Sequence, residues 1–95
     1  MADHDLKTDP EVFQSSWEGL KNFEIRFDDR GYAVNDGLTL RETRYSSKEM
    51  HNIKTHKPLE YTGRVLYVKV KYILRGNGYG LLPGWVILDV SEPDV

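Results

Sequence analysis

Ninety-five residues with no cysteine, 13 Lys/Arg against 15 Asp/Glu and a net charge of −2 exclude several classes at once. Without thiols there is no disulfide scaffold, thiolate chemistry or cysteine-based zinc site, and the near-neutral balance argues against a non-specific nucleic-acid coat. The length fits one domain, residues 1–95, with room for one modest core.

The core should lean on aromatic area, since two Trp, six Tyr and three Phe are generous for this length. No apolar run approaches the roughly 20 residues that a membrane span requires. The opening Met1-Ala2-Asp3-His4-Asp5 is acidic and lacks an apolar leader segment. The expectation is a cytoplasmic monomer with no membrane partner. Charge is uneven along the chain. Residues 1–40 carry a balance of −5, residues 41–75 one of +6 and residues 76–95 one of −3. A local basic surface can therefore exist on a chain that is acidic overall.

In chain order, Thr8-Asp9-Pro10-Glu11 predicts a helix start, because Thr8 and Glu11 have capping-box spacing and proline suits the first turn. Val12, Phe13, Trp17 and Leu20 recur at helical intervals, and Gly19 stands where a C-terminal stop belongs. Phe13 and Trp17 are core candidates. From Asn22 to Phe27 the period changes to 2. That period sends Glu24 and Arg26 to one face, and Phe23, Ile25 and Phe27 to the other. The natural expectation buries the aromatic face and presents the acid and base as the floor of a polar site.

A charged turn follows at Asp28-Asp29-Arg30-Gly31. Tyr32-Ala33-Val34 then leads into a tight turn at Asn35-Asp36-Gly37. Leu38 to Arg44 reads as the next strand. Residues 45–60 show no period and read as a long mobile loop insertion, which in a small domain carries function or lacks order. Gly63 to Leu74 is the strongest strand, with Leu66, Val68, Val70, Tyr72 and Leu74 on one apolar face. Gly76–Gly80 is a glycine-rich loop, Pro83-Gly84 a turn, and Trp85–Val90 a buried strand. Residues 91–95 read as a frayed tail. One short helix followed by several strands indicates an α+β or small β-barrel fold.

Chemistry concentrates in Gly19-Leu20-Lys21-Asn22-Phe23-Glu24-Ile25-Arg26. A lysine at a buried edge loses part of its proton affinity and can act as a base beside a carboxylate, so Lys21 and Glu24 are the catalytic candidates. Arg26 offers a planar fork suited to phosphate or a nucleobase. The ordinary alternative is an inert ion pair across one strand face. The glycine-rich loop lacks the Lys-Ser/Thr of a P-loop, and Tyr79 is its candidate ligand contact. His4, His51 and His56 do not have a metal-ligand spacing, so no metal and no cofactor is expected. Tyr61, Tyr67 and Tyr72 interleave with Arg64, Lys69 and Lys71, the stacking-plus-cation pattern of single-strand binders, which is also that of an ordinary amphipathic strand.

The spacing G-x-K-x-x-E-x-R resembles the signature of the ASCH domain, a branch of the PUA-like superfamily. His4-Asp5-Leu6-Lys7, Pro10, Phe13, Asp29-Arg30 and Tyr32-Ala33-Val34-Asn35-Asp36 extend the resemblance to a small phage- and bacteria-associated ASCH-like family of unknown function, with Asn35 replacing that family's glycine. Leu40-Arg41-Glu42, Tyr61-Thr62-Gly63-Arg64, Tyr72-Ile73-Leu74 and Gly84-Trp85-Val86-Ile87-Leu88 continue it.

The resemblance implies a PUA-like β-barrel of about five or six strands with one or two short helices. It also implies an RNA, nucleoside or nucleotide ligand held by Lys21, Glu24, Arg26, Arg30 and Tyr79. Some ASCH relatives are amidohydrolases with a threonine where this chain has Glu24, so that mechanism does not carry over. A binding module is the favoured expectation. A small amidohydrolase or ribonuclease acting on modified nucleoside or RNA is the alternative. A phage-type host-interaction protein that meets its partner through residues 45–60 is the third.

Overall fold

The structure is a computed structural model that describes residues 1–92. Its elements are β1 (Asp3–Thr8), α1 (Pro10–Trp17), β2 (Phe23–Phe27), β3 (Gly37–Thr43), α2 (Ser47–His51), β4 (Tyr61–Arg75) and β5 (Trp85–Ser91), with a 3-10 turn at Asn77–Tyr79. The strands form one five-stranded sheet in the order β1-β3-β4-β5-β2. Gly37 N donates to Ala2 O, and Thr43 Oγ1 to Thr8 O, so β1 and β3 run the same way. Val70 N donates to Asp36 O and Arg44 N to Glu60 O, so β3 and β4 are antiparallel. The β4–β5 and β5–β2 pairs are antiparallel as well, which makes the sheet mixed. A sheet with two short helices is the expected α+β class.

The chain divides into two compact units. The first contains Met1–His4, Asn22–Leu38 and the chain from Tyr67 onward; the second contains Asp5–Lys21 and Thr39–Leu66. In the first unit Tyr32, Leu38, Val68, Val70, Val86, Leu88 and Val90 are buried. In the second, Leu6, Phe13 and Leu40 are buried beside the polar Thr8, Glu42 and Thr43.

Helix α1 ends as its sequence dictates. Gly19 adopts φ +78°, its N–H reaches Ser16 O, and Leu20 N reaches Ser15 O, the paired bonds of a Schellman stop. The start differs from the expectation. Thr8 closes β1, a strand that the acidic N-terminal segment did not advertise, and Asp9 takes the cap position with Pro10 in the first turn. The Asp9 carboxylate makes no capping bond and instead accepts from Ser47 N at 2.9 Å and Ser47 Oγ at 3.0 Å. Phe13 is fully buried, whereas Trp17 is half exposed and Leu20 largely so, since an eight-residue helix has only a narrow covered stripe.

Residues 45–60 are not uniformly loop. Ser46 and Glu49 complete a capping box around the first turn of α2, with Glu49 N donating to Ser46 Oγ and Ser46 N to Glu49 Oε1. Strand β4 contains a bulge between Val70 and Tyr72: Val70 pairs with Val90, but Tyr72 pairs with Asp89. The extra residue breaks the period. Val68 and Val70 are buried while Tyr72, expected on their face, is exposed. At the C-terminus Ser91 belongs to β5, and residues 93–95 of the expected tail lie outside the described residues.

Candidate functional site

Strand β2 contributes the segment that the sequence singled out, but with its faces exchanged. Phe23, Ile25 and Phe27 are 44%, 51% and 50% exposed, while Glu24 is only 3% exposed. Register explains the sorting. Glu24 lies opposite Leu88 and Arg26 opposite Val86, both buried, whereas Phe23 lies opposite the exposed Asp89. A carboxylate buried at such a position needs a charged partner. Arg26 supplies it: Nε at 3.3 Å and Nη2 at 2.9 Å both donate to Glu24 Oε1. The Arg26 side chain keeps 24% of its surface open.

Val86 also pairs with Arg75, so β5 separates Arg26 from a second arginine on the same face. Arg75 donates to Asp28 Oδ2 and to Tyr32 O, each at 2.7 Å. Asp28 Oδ1 in turn accepts from Gly31 N at 2.9 Å and Tyr32 N at 3.1 Å, which fixes the turn after β2. Burial pushes the Asp28 carboxyl upward, but the bonds from Arg75, Tyr32 and Gly31 outweigh it and hold its pKa below the ordinary value. The Tyr32 phenol is raised, chiefly by burial, against the opposing fields of Arg26 and Arg30.

A second constellation emerges from residues to which the sequence reading gave no role. His4 Nε2 lies 2.9 Å from Asp36 Oδ2, and Tyr32 meets the imidazole edge-on with ring centroids 4.9 Å apart. Asp36 also accepts from Ala2 N and Ala33 N at 3.0 Å each. The Ala2 bond above all, then His4 and Ala33, hold its pKa down against burial. The signal was present in His4-x-Leu6 and in Tyr32-Ala33-Val34-Asn35-Asp36. Asn35 adopts φ +77°, the left-handed conformation that glycine or asparagine tolerates best, and so aims Asp36 back at its partners.

Arg30 makes a loose pair with Asp29 at 3.9 Å. Tyr79 sits on the 3-10 turn and is 70% exposed. Lys21 belongs to the other unit, where Nζ reaches Ser16 Oγ at 3.4 Å. His51 and His56 are exposed, and among the described residues no group of His, Asp and Glu is placed to hold a metal. No helix among them is long and apolar enough to cross a membrane.

The second unit holds its own charged cluster. Arg64 grips Glu42 through Nε at 3.0 Å and Nη2 at 2.7 Å, and gives a further 2.7 Å bond to Gln14 Oε1. Thr62 Oγ1 donates to Glu42 at 2.6 Å, and the guanidinium lies 5.2 Å from the Phe13 ring and 5.0 Å from that of Trp17. The arginine bonds, ahead of Thr62, keep the Glu42 carboxyl below its ordinary range despite burial. This is the chemistry of a structural clamp.

A comparison with curated proteins gives no match. The model of a family described as a domain of unknown function, DUF3850, matches residues 3–90, a span that takes in His4, β2, the Tyr32–Asp36 turn and β5. The chain belongs to the DUF3850 family.

Proposed function

We propose that this domain is an RNA- or nucleoside-binding module whose recognition groups lie in the first unit, around Arg26, Arg30 and Tyr32. The observation that supports it most is the fixed guanidinium of Arg26. Glu24 holds one edge of the fork through two hydrogen bonds, while part of the side chain stays open to solvent. A planar donor held in place at no entropic cost on binding suits phosphate or a nucleobase. Glu24 then acts as a positioning residue, because its buried carboxylate is already engaged by Arg26. Arg30 adds a second, exposed cation, and Tyr79 offers an exposed ring for stacking. A relationship to ASCH and PUA-like barrels belongs to the same proposal; the α+β sheet agrees with it at the level of class.

The test is a heteronuclear NMR titration with nucleoside monophosphates and short RNA. Amide shifts should cluster at Phe23–Tyr32, and Arg30→Ala and Arg26→Lys should each weaken binding about tenfold, with a steep salt dependence. An unperturbed Phe23–Tyr32 region across the whole panel removes the reading.

If the domain also turns over its ligand, His4 is the acid–base group that the geometry offers. Asp36 engages Nε2 and so leaves Nδ1 as the exchangeable position. His4→Asn should then abolish hydrolysis while leaving ligand affinity within about twofold. Turnover that survives this substitution excludes the role.

A further inference from the structure

The outer face of β2, β5 and β4 carries exposed rings that take no part in the Arg26–Arg30 site. Cross-strand register assembles it. Phe23, Asp89 and Tyr72 form one row, Ile25, Ile87 and Leu74 the next, and Phe27 and Trp85 the last. Side chains directly opposite one another in a sheet share a face. Phe23, Phe27, Tyr72 and Trp85 are all solvent-exposed, Tyr72 at 60%. Phe27 and Trp85 meet edge-to-face with centroids 6.0 Å apart. Gly84 permits that packing: a Cβ there would stand 2.6 Å from Phe27 Cε1, and its φ of +85° already favours glycine. Four rings at the corners of a small aliphatic centre make an apolar surface of the kind that marks a binding site.

The polar groups of this face narrow the occupant. Lys69 pairs in register with Ser91 and so lies on the same side, and the bulge places the exposed Lys71 next to Tyr72. The one carboxylate in the three rows is Asp89, exposed between two rings. Rings to stack on, two lysines beside them and a lone acceptor between rings fit a single nucleic-acid strand. Bases lie on the rings, the lysines face the backbone phosphates, and Asp89 accepts from an exocyclic amine as a carboxylate does from cytosine N4.

We infer that the outer β2–β5–β4 face is a stacking platform for single-stranded RNA, with Asp89 selecting an amino-bearing base between Phe23 and Tyr72. This rests on the RNA-binding reading and adds a surface, a strandedness and a base preference to it.

The test uses the full chain, fluorescein-labelled oligo-rC and oligo-rU, anisotropy, and Trp85 fluorescence read in a Trp17→Phe background that removes the second indole. Oligo-rC should quench Trp85, and Tyr72→Ala and Phe23→Ala should each weaken it about tenfold or more, with Tyr72→Phe close to the parent. Asp89→Ala should erase the preference for oligo-rC over oligo-rU while the affinity for oligo-rU holds. Binding that depends on Arg26 and Arg30 but ignores Tyr72→Ala and Phe23→Ala overturns the platform and leaves the module intact. Failure of every oligonucleotide overturns the platform, and the module falls with it only if nucleoside monophosphates also leave Phe23–Tyr32 unperturbed. Concentration-dependent self-association that Tyr72→Ala abolishes, without oligonucleotide binding, assigns the face to a second copy and overturns the inference.

Discussion

Two buried glutamates, each joined to an arginine, serve different ends. Glu42 and Arg64 stand 22 residues apart in sequence and join β3 to β4, with Gln14 of α1 as a third party and two aromatic rings beside the guanidinium. Glu24 and Arg26 are two residues apart on one strand. Breaking the first pair loosens two strands from each other; breaking the second unpairs a buried carboxylate within one strand. In the first unit Asp36 ties distant segments together, collecting Ala2, His4 and Ala33 around one carboxylate, and Arg75 joins Asp28. An ion pair is therefore structural by virtue of what it joins, and burial alone does not distinguish the two.

The largest effect should come from Arg64→Ala, which strands the Glu42 carboxylate in a buried site. A loss of about 3–5 kcal/mol in urea unfolding is expected. Arg64→Lys should recover only part of it, because an ammonium cannot reproduce the two-pronged grip. If Arg26→Lys costs as much as Arg64→Lys, the contrast between local and long-range pairs fails.

Next is Asp36→Asn, expected to cost about 2 kcal/mol at neutral pH through weakened charged hydrogen bonds. It should also change the acid limb. Asp28, Asp36 and Glu42 all titrate below their reference values of 3.8, 3.8 and 4.5 when folded. The unfolded chain therefore takes up protons first, so their stabilisation is complete above about pH 5 and is lost as pH falls through and below 4. Asp36→Asn should flatten that loss in acid-unfolding curves; an unchanged slope removes Asp36 from the account.

Smaller still is the turn that aims Asp36. Asn35→Val should cost about 1–2 kcal/mol because a β-branched residue resists a left-handed φ, while Asn35→Gly should stay within about 0.5 kcal/mol. Thermal unfolding distinguishes the two. Least affected in stability should be Arg30→Ala, within about 0.5 kcal/mol since its pair is exposed and long. Its consequence should appear in ligand affinity instead, and a variant that melts early would make Arg30 structural.

Much of the local structure was legible. Gly19 marks the helix stop, Pro10 the first turn, and Asn35 a position that a glycine would otherwise hold. Helix α2 carried its own signature in Ser46 and Glu49, which the sparse apolar content of residues 45–60 obscured. The bulge at Val70/Tyr72 had no local signal, because it answers to the register of β5 rather than to the composition of β4. His4 and Asp36 are 32 residues apart, and nothing in either segment names the other.

Alternation along β2 follows from its residues alone: Glu24 and Arg26 share one side, and Phe23, Ile25 and Phe27 the other. Which side faces inward is a property of the folded sheet. Period-2 geometry partitions a strand without giving the partition a direction, and direction depends on what covers each face. Here Leu88, Val86 and the Arg26 fork make the acid's side the covered one, and the rings are left for solvent or for a ligand.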